Sequence, residues 1–183
     1  MSEWNSETAE WYAANYGDYP TNRLAVDYLD LPNHISIVDV GCGTGSALRY
    51  AAQKVKDGNL IGIDPVPRMI EIARELTENH STQKLITFKV GSAEDLPIDD
   101  DFANFVFAFD SIDHWKDVNQ GLKEIRRILK PDGKLILVKD KAVPGSIAAL
   151  KTLRMALDLS GYNLIDQNEI NKEDVSFVLW ICG

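Results

Sequence analysis

Apolar and polar positions along this chain change period at short intervals. Runs rich in β-branched and aromatic residues near 35–40, 59–64, 85–90, 103–109 and 133–139 predict buried strands. Helix-period sets lie between them: Ala47, Leu48, Ala51, Ala52 and Val55; then Val66, Met69, Ile70, Ala73 and Leu76; then Val118, Leu122, Ile125, Ile128 and Leu129. Pro131-Asp132-Gly133 predicts a turn, and Pro144-Gly145 precedes a predicted helix near Ser146 to Leu159. Such alternation predicts an α/β fold, a doubly wound parallel sheet with right-handed crossovers and helices on both faces. The tail adds two strands, Tyr162 to Ile165 and Val175 to Ile181, joined by the polar stretch Asp166 to Asp174. A parallel return needs about a dozen residues or more. The last pair is therefore predicted to be antiparallel, which makes seven strands in all.

Ahead of the first strand, Trp4, Trp11, Tyr12, Tyr16 and Tyr19 form a dense aromatic set. Trp11, Tyr12 and Tyr16 fall on one helical face. The chain thus divides into an N-terminal helical segment, 1–34, and a single catalytic-sized domain, 35–183. A length of 183 residues suits one domain with a sizeable core.

The strand-to-helix junction Val38 to Ala47, VDVGCGTGSA, carries the clearest chemistry. Gly41, Gly43 and Gly45 let the chain turn sharply and a ligand approach the backbone. Unpaired N–H groups near Thr44 and Gly45, at the helix start, suit a carboxylate or other anion. Asp39 two places before the glycines disfavours a pyrophosphate and suits a cation such as an amino group. A zwitterionic ligand is served by both.

A formal net charge of -9 argues against a nucleic-acid partner, which usually requires clustered Lys and Arg. Lys123, Arg126, Arg127 and Lys130 alternate with apolar residues and read as the wet face of an amphipathic helix. No apolar run approaches membrane-spanning length, and MSEWNSETAE lacks the parts of a signal peptide, so a cytoplasmic location with no membrane partner is expected. Cys42 and Cys182 are expected as free thiols. The three histidines, His34, His80 and His114, are too scattered for a metal site, and none is expected.

Four ordered motifs between Ile35 and Lys139 resemble the class I S-adenosylmethionine-dependent methyltransferases, in the small-molecule branch with the ubiquinone/menaquinone-type methyltransferase domain. The first is the glycine turn, in which Asp39, Gly41, Cys42, Gly43 and Gly45 match the cofactor loop. The second is LIGID, Leu60 to Asp64, followed by Pro65. An acidic residue about twenty positions after the glycine turn accepts from ribose hydroxyls in such folds. The resemblance gives that role to Asp64, for which a helix N-cap is the alternative, and places Met69 against the adenine, with core packing as its alternative. In the third, ITFKVGSAEDLP (Ile86 to Pro97), Ser92 stands where relatives carry Asp or Asn for the adenine amino group, and Ala93 keeps the backbone contact. Glu94 and Asp95 read as loop carboxylates. The fourth, FANFVFAFDSIDHW (Phe102 to Trp115), ends in Asp110, Ser111, Asp113 and His114 beyond the carboxyl end of a strand, where ligands of open α/β sheets lie.

The resemblance implies a Rossmann-like sheet whose last strand inserts antiparallel between the fifth and sixth. It implies S-adenosyl-L-methionine as cofactor and a small-molecule methyl acceptor. His114, the side chain tuned nearest neutral pH, is the candidate base, with a structural loop histidine as the alternative. Tyr16 or Tyr12 would act in a lid formed by the N-terminal segment. Two other functions stay open. A nicotinamide-dependent dehydrogenase would share the strand, glycines and later carboxylate, but Ser46 occupies the place of its third glycine. A cofactor-binding module acting as partner or regulator would keep the pocket without the transfer.

Overall fold

A computed structural model describes residues 5–141 and 146–183, with the side chains of 146–149 left out. Trp4 and the Pro144-Gly145 pair lie outside the described residues. Two helices, α1 (Ser6–Tyr16) and α2 (Pro20–Tyr28), precede β1 (His34–Val40), α3 (Ser46–Lys54), β2 (Asp57–Asp64), α4 (Pro67–Thr77), β3 (Ile86–Val90) and β4 (Ala103–Phe109). Then come α5 (Val118–Ile128), β5 (Leu129–Asp140), α6 (Ser146–Leu159), β6 (Leu164–Lys172) and β7 (Val175–Cys182). Asn5 caps α1 by accepting from Thr8 N, and Pro67 opens α4, where a missing N–H costs nothing.

The seven strands lie in the order β3-β2-β1-β4-β5-β7-β6. All neighbouring pairs are parallel except those made by β7, which runs antiparallel between β5 and β6. Residues alternate across the sheet as a period of two requires. Ile37 and Phe107 face a cluster with Leu24, Leu48 and Ile70, whereas Val38 and Val106 face one with Leu122, Ile125 and Leu157. Helices α2, α3 and α4 therefore cover one face, and α5 and α6 the other. Leu122, Ile125 and Ile128 are fully buried on the inner stripe of α5, each worth about 1.5–3 kcal/mol by burial.

Two expectations need correction. The polar stretch after Ile165 is not a connector: β6 continues to Lys172, and only Glu173 and Asp174, both at positive φ, make the turn into β7. Residues there alternate between half-buried and exposed on an edge strand, so backbone pairing to β7 suffices without an apolar face. The strand predicted to begin at 133 begins at Leu129, pairs with Ala103, and bulges through Pro131-Asp132-Gly133 before resuming at Lys134 opposite Phe105.

The strand order matters for function. From β1 the chain proceeds outward through β2 to β3, and then returns to β4 on the other side of β1. The carboxyl ends of β1 and β4 thus flank a topological switch point, where open α/β sheets bind ligands.

Candidate functional site

The glycine turn after β1 is bonded to the strand beside it. Gly41 N and Cys42 N both donate to Ile63 O, at 2.8 and 3.0 Å, and Gly43 N donates to Asp64 Oδ2 at 3.2 Å. Gly41 has φ +76°, and a Cβ there would lie 2.4 Å from the Cβ of Ser111. Ser111 in turn donates to Val40 O at 2.6 Å, so the loop after β4 is seated directly on the turn after β1. Gly45, also at φ +76°, allows the ring of Phe88 to close on the start of α3, where a Cβ would sit 2.6 Å from it.

Two carboxylates end the central strands. Asp39 is 2% exposed, and its pKa is pushed up to about 8, first by burial and then by repulsion from Asp64. Asp64 is 8% exposed; burial raises its pKa too, against hydrogen bonds from Val66 N (3.0 Å) and Gly43 N. Each oxygen of Asp64 accepts one backbone bond, and each carboxylate oxygen has room for a second. Two buried like charges without a cation between them are costly, and a cationic ligand group would relieve both. Asp64 is not the N-cap of α4, a place held by Val66, although it does bond that residue's N–H.

Two adjoining clefts open at this end of the sheet. One, about 160 Å³, is lined by Asp64, Pro65, Met69, Ser92, Ala93 and Trp115, and its apolar character is usual for small-molecule sites. The other is lined by Asp39, Tyr16, Tyr19, Thr21, Lys139 and Asp140. Gly41, Gly43, Tyr12, Phe109, Asp110 and His114 line both and so form their common wall. Asp110 has φ +50°, donates its N–H to Val138 O at 3.0 Å and accepts from Asp140 N at 2.7 Å. Its pKa is raised to about 6, mainly by burial. Burial also lowers the pKa of His114.

The N-terminal helices close over the turn. Thr44 Oγ1 donates to Gly17 O at 2.5 Å, and the carboxylate of Asp18 accepts from Ser46 (2.9 Å) and Tyr50 (3.0 Å). Ala9, Tyr12 and Ala13 of α1 pack on Val66, Met69 and Ile72 of α4, while Glu10 pairs with Arg68 at 2.6 Å. Tyr12, pushed up to about 12 first by burial and then by Asp110, stands over Gly43. Tyr16 is 43% exposed, meets the rings of Trp11 and Tyr12 at a tilt and that of Tyr19 edge-on, and borders only the second cleft.

Of the residues singled out from the sequence, Asp39, Gly41, Cys42, Gly43, Asp64, Pro65, Met69, Ser92, Ala93, Asp110, His114 and Tyr16 border one or both clefts. Gly45 borders neither; its place is the contact with Phe88. Cys42 is buried, with its thiol packed toward Gly62. The Ser92 hydroxyl is engaged by Glu94, whose carboxylate also accepts from Lys116 N and Asp117 N, so Glu94 fastens two loops together. Sequence reasoning passed over Lys139 and Asp140. Their signal was present: two charged residues at the carboxyl end of the apolar run LILV mark a strand end facing ligand. Among the described residues no helix is long and apolar enough to cross a membrane, and no group of three or more His, Cys, Asp or Glu is placed to hold a metal.

The family model described as a methyltransferase domain matches residues 38–137. The ubiquinone/menaquinone biosynthesis C-methyltransferase UbiE of Citrifermentans bemidjiense is 34% identical over 121 residues, which cover 64% of this chain and 50% of that protein. The demethylmenaquinone methyltransferase of Lactobacillus johnsonii is 30% identical over 148 residues, 77% of this chain and 61% of that protein. The chain spans about a third to two thirds of the length of the curated relatives it matches. A SAM-dependent methyltransferase from Aquifex aeolicus superposes with a TM-score of 0.82 at 18% identity, over 98% of this chain and 99% of that one. The [4+2]-cyclase SpnF superposes with a TM-score of 0.76 at 16% identity, over 89% and 80%. The matched span takes in the glycine turn, Asp39, Asp64 and the loops after β3 and β4, and on that ground the chain belongs to the methyltransferase domain family, with the Rossmann-like fold of the S-adenosylmethionine-dependent methyltransferases.

Proposed function

We propose that this protein transfers a methyl group from S-adenosyl-L-methionine to a small-molecule acceptor. The observation that carries the reading is the buried pair Asp39 and Asp64 around a glycine turn. That pair fits a ligand bearing both a cation and a hydroxylated ribose, and a dinucleotide pyrophosphate would meet repulsion there. When bound, the cofactor supplies an electrophilic methyl carbon on a positively charged sulfur.

The roles of the chain's own residues follow from their places. Asp39 would attract the amino group, and Asp64 would accept from ribose hydroxyls while Gly43 N and Val66 N hold its carboxylate in place. Met69 and Pro65 would supply apolar contact for the adenine, with Ser92 and Ala93 at its polar edge. Tyr12 and Tyr16, in the 1–34 segment acting as a lid, would exclude water. Alignment and desolvation are the main work for an in-line displacement, so few catalytic groups are needed. His114 would take the acceptor's proton, a role supported by its position on the wall common to both clefts. The second cleft holds Asp39 and so would take the cofactor's amino end, which leaves its Lys139 and Asp140 side for the acceptor, and a cytoplasmic, small-molecule setting fits the acidic chain.

Calorimetry tests the cofactor, with a Kd of order micromolar expected, roughly 8 kcal/mol. Binding of NAD in place of S-adenosylmethionine would overturn the reading. One fold relative is named as a [4+2]-cyclase, so fold alone does not fix the chemistry. Detection of S-adenosylhomocysteine across a panel of acceptors separates transfer from a binding-only role.

A further inference from the structure

The loop that carries His114 is anchored by a residue of β5 that lies 26 positions after its partner in that loop and outside the four motifs above. We propose that Lys139 is a positioning residue: through Asp113 it fixes the Ile112–His114 turn so that His114 stands on the wall between the two clefts. This deepens the methyl-transfer reading and rests on it for the role of His114.

Lys139 is the penultimate residue of β5, with its side chain 7% exposed, and its Nζ donates to Asp113 Oδ2. Asp113 lies in the middle of the short 3-10 turn Ile112–His114. A lysine ammonium is among the groups least often buried, and it is retained only with a partner. Two bonds flank it and stitch the same loop to the same strand: Asp110 N donates to Val138 O, and Asp140 N donates to the side-chain Oδ1 of Asp110. The loop is therefore held at three successive residues of β5, and of the three ties only that of Lys139 uses a side chain of the strand itself.

The pair also sets the field at His114. Of the charged and titratable groups that share its clefts, Asp110 and Asp113 come from its own loop, Lys116 from just beyond it, Lys139 and Asp140 from β5, Asp39 from β1, Cys42 from the glycine turn, Asp64 from β2, Glu94 from the loop after β3, Tyr12 and Tyr16 from α1, and Tyr19 from the connector after it. Burial favours the neutral imidazole, Asp113 opposes that, and Lys139 supports it. A neutral imidazole is the form able to accept a proton.

The test is a proton NMR titration of the histidine ring signals in the full chain without cofactor, with His114 assigned by loss of its signal in His114→Gln. Lys139→Met, which fills the buried space with an apolar chain of similar length and leaves Asp113 toward water, is expected to raise the His114 midpoint. Lys139→Arg keeps the charge and is expected to hold the wild-type midpoint, and Asp113→Asn is expected to lower it. His34 and His80 should not move in any variant. If Lys139→Met does not fold, Asp113→Asn carries the test alone. An unmoved His114 midpoint in the folded variants overturns the proposal, whereas failure of S-adenosylmethionine to bind the wild-type protein would overturn only the methyl-transfer reading.

Discussion

Asp64 at the end of β2 accepts a hydrogen bond from the backbone N–H of Gly43 at 3.2 Å, so the second strand's carboxylate is tied directly to the glycine turn of the first. One residue thereby holds the glycine loop in place and, in the proposed function, would present its remaining lone pairs to the cofactor.

Replacing Asp64 should therefore weaken cofactor binding more than it weakens the fold. Hydrogen bonds to a charged group are worth about 1.5–3 kcal/mol each. Asp64→Ala is expected to reduce S-adenosylmethionine affinity by roughly 10- to 100-fold in calorimetry, and Asp64→Asn, which keeps an acceptor oxygen, by less. Unchanged affinity in both variants would remove Asp64 from the site.

Asp39 makes the ligand-free protein sensitive to pH. Its carboxyl titrates near 8 in the fold against an ordinary value of 3.8, so between these values the folded chain binds a proton that the unfolded chain has released. Stability contributed by that proton is present at low pH and is lost as pH rises from about 4 through about 8. Asp39→Asn should flatten this part of the pH dependence of Tm. Cofactor binding should run the opposite way, tightening as pH rises toward 8, because the ionised form attracts the amino group.

Gly41 and Gly45 are expected to resist substitution for steric reasons at separate contacts. Alanine at Gly41 meets Ser111, and at Gly45 it meets Phe88, both at positive φ. Each change should cost about 1–3 kcal/mol from backbone strain alone. Urea denaturation measures it, and a loss below about a few tenths of a kcal/mol at Gly41 would show that neither its positive φ nor the Ser111 contact constrains that position.

The connector between α1 and α2 should open when Asp18 is removed. Asp18→Ala takes the acceptor from Ser46 and Tyr50, while the exposed Glu10–Arg68 pair adds little because solvent screens it. Faster hydrogen exchange is expected in α1, with the exchange of β1 and β4 unchanged. Equal exchange in α1 would show that the packing of Ala9 and Tyr12 on α4 holds the segment without this clamp.

The sequence by itself determined the order of strands and helices, the glycine turn, and the two carboxylates Asp39 and Asp64. These features are local: hydrophobic period, turn chemistry and strand-end polarity are written in consecutive residues. Tertiary structure decided the rest. Polar residues after Ile165 became a strand because β7 offers backbone partners along an edge, which no side-chain pattern announces. Gly45 turned to Phe88 and away from the clefts because β3 packs beside α3. Tyr12, more than Tyr16, came to stand over the turn because α1 docks on α4 through Ala9 and Ala13. Lys139 and Asp140 joined the site because β5 lies beside β4, which brings strand ends thirty residues apart into hydrogen-bond range. Local periodicity specifies elements; only their packing brings distant charges together, since burial and pairing are properties of the assembled sheet.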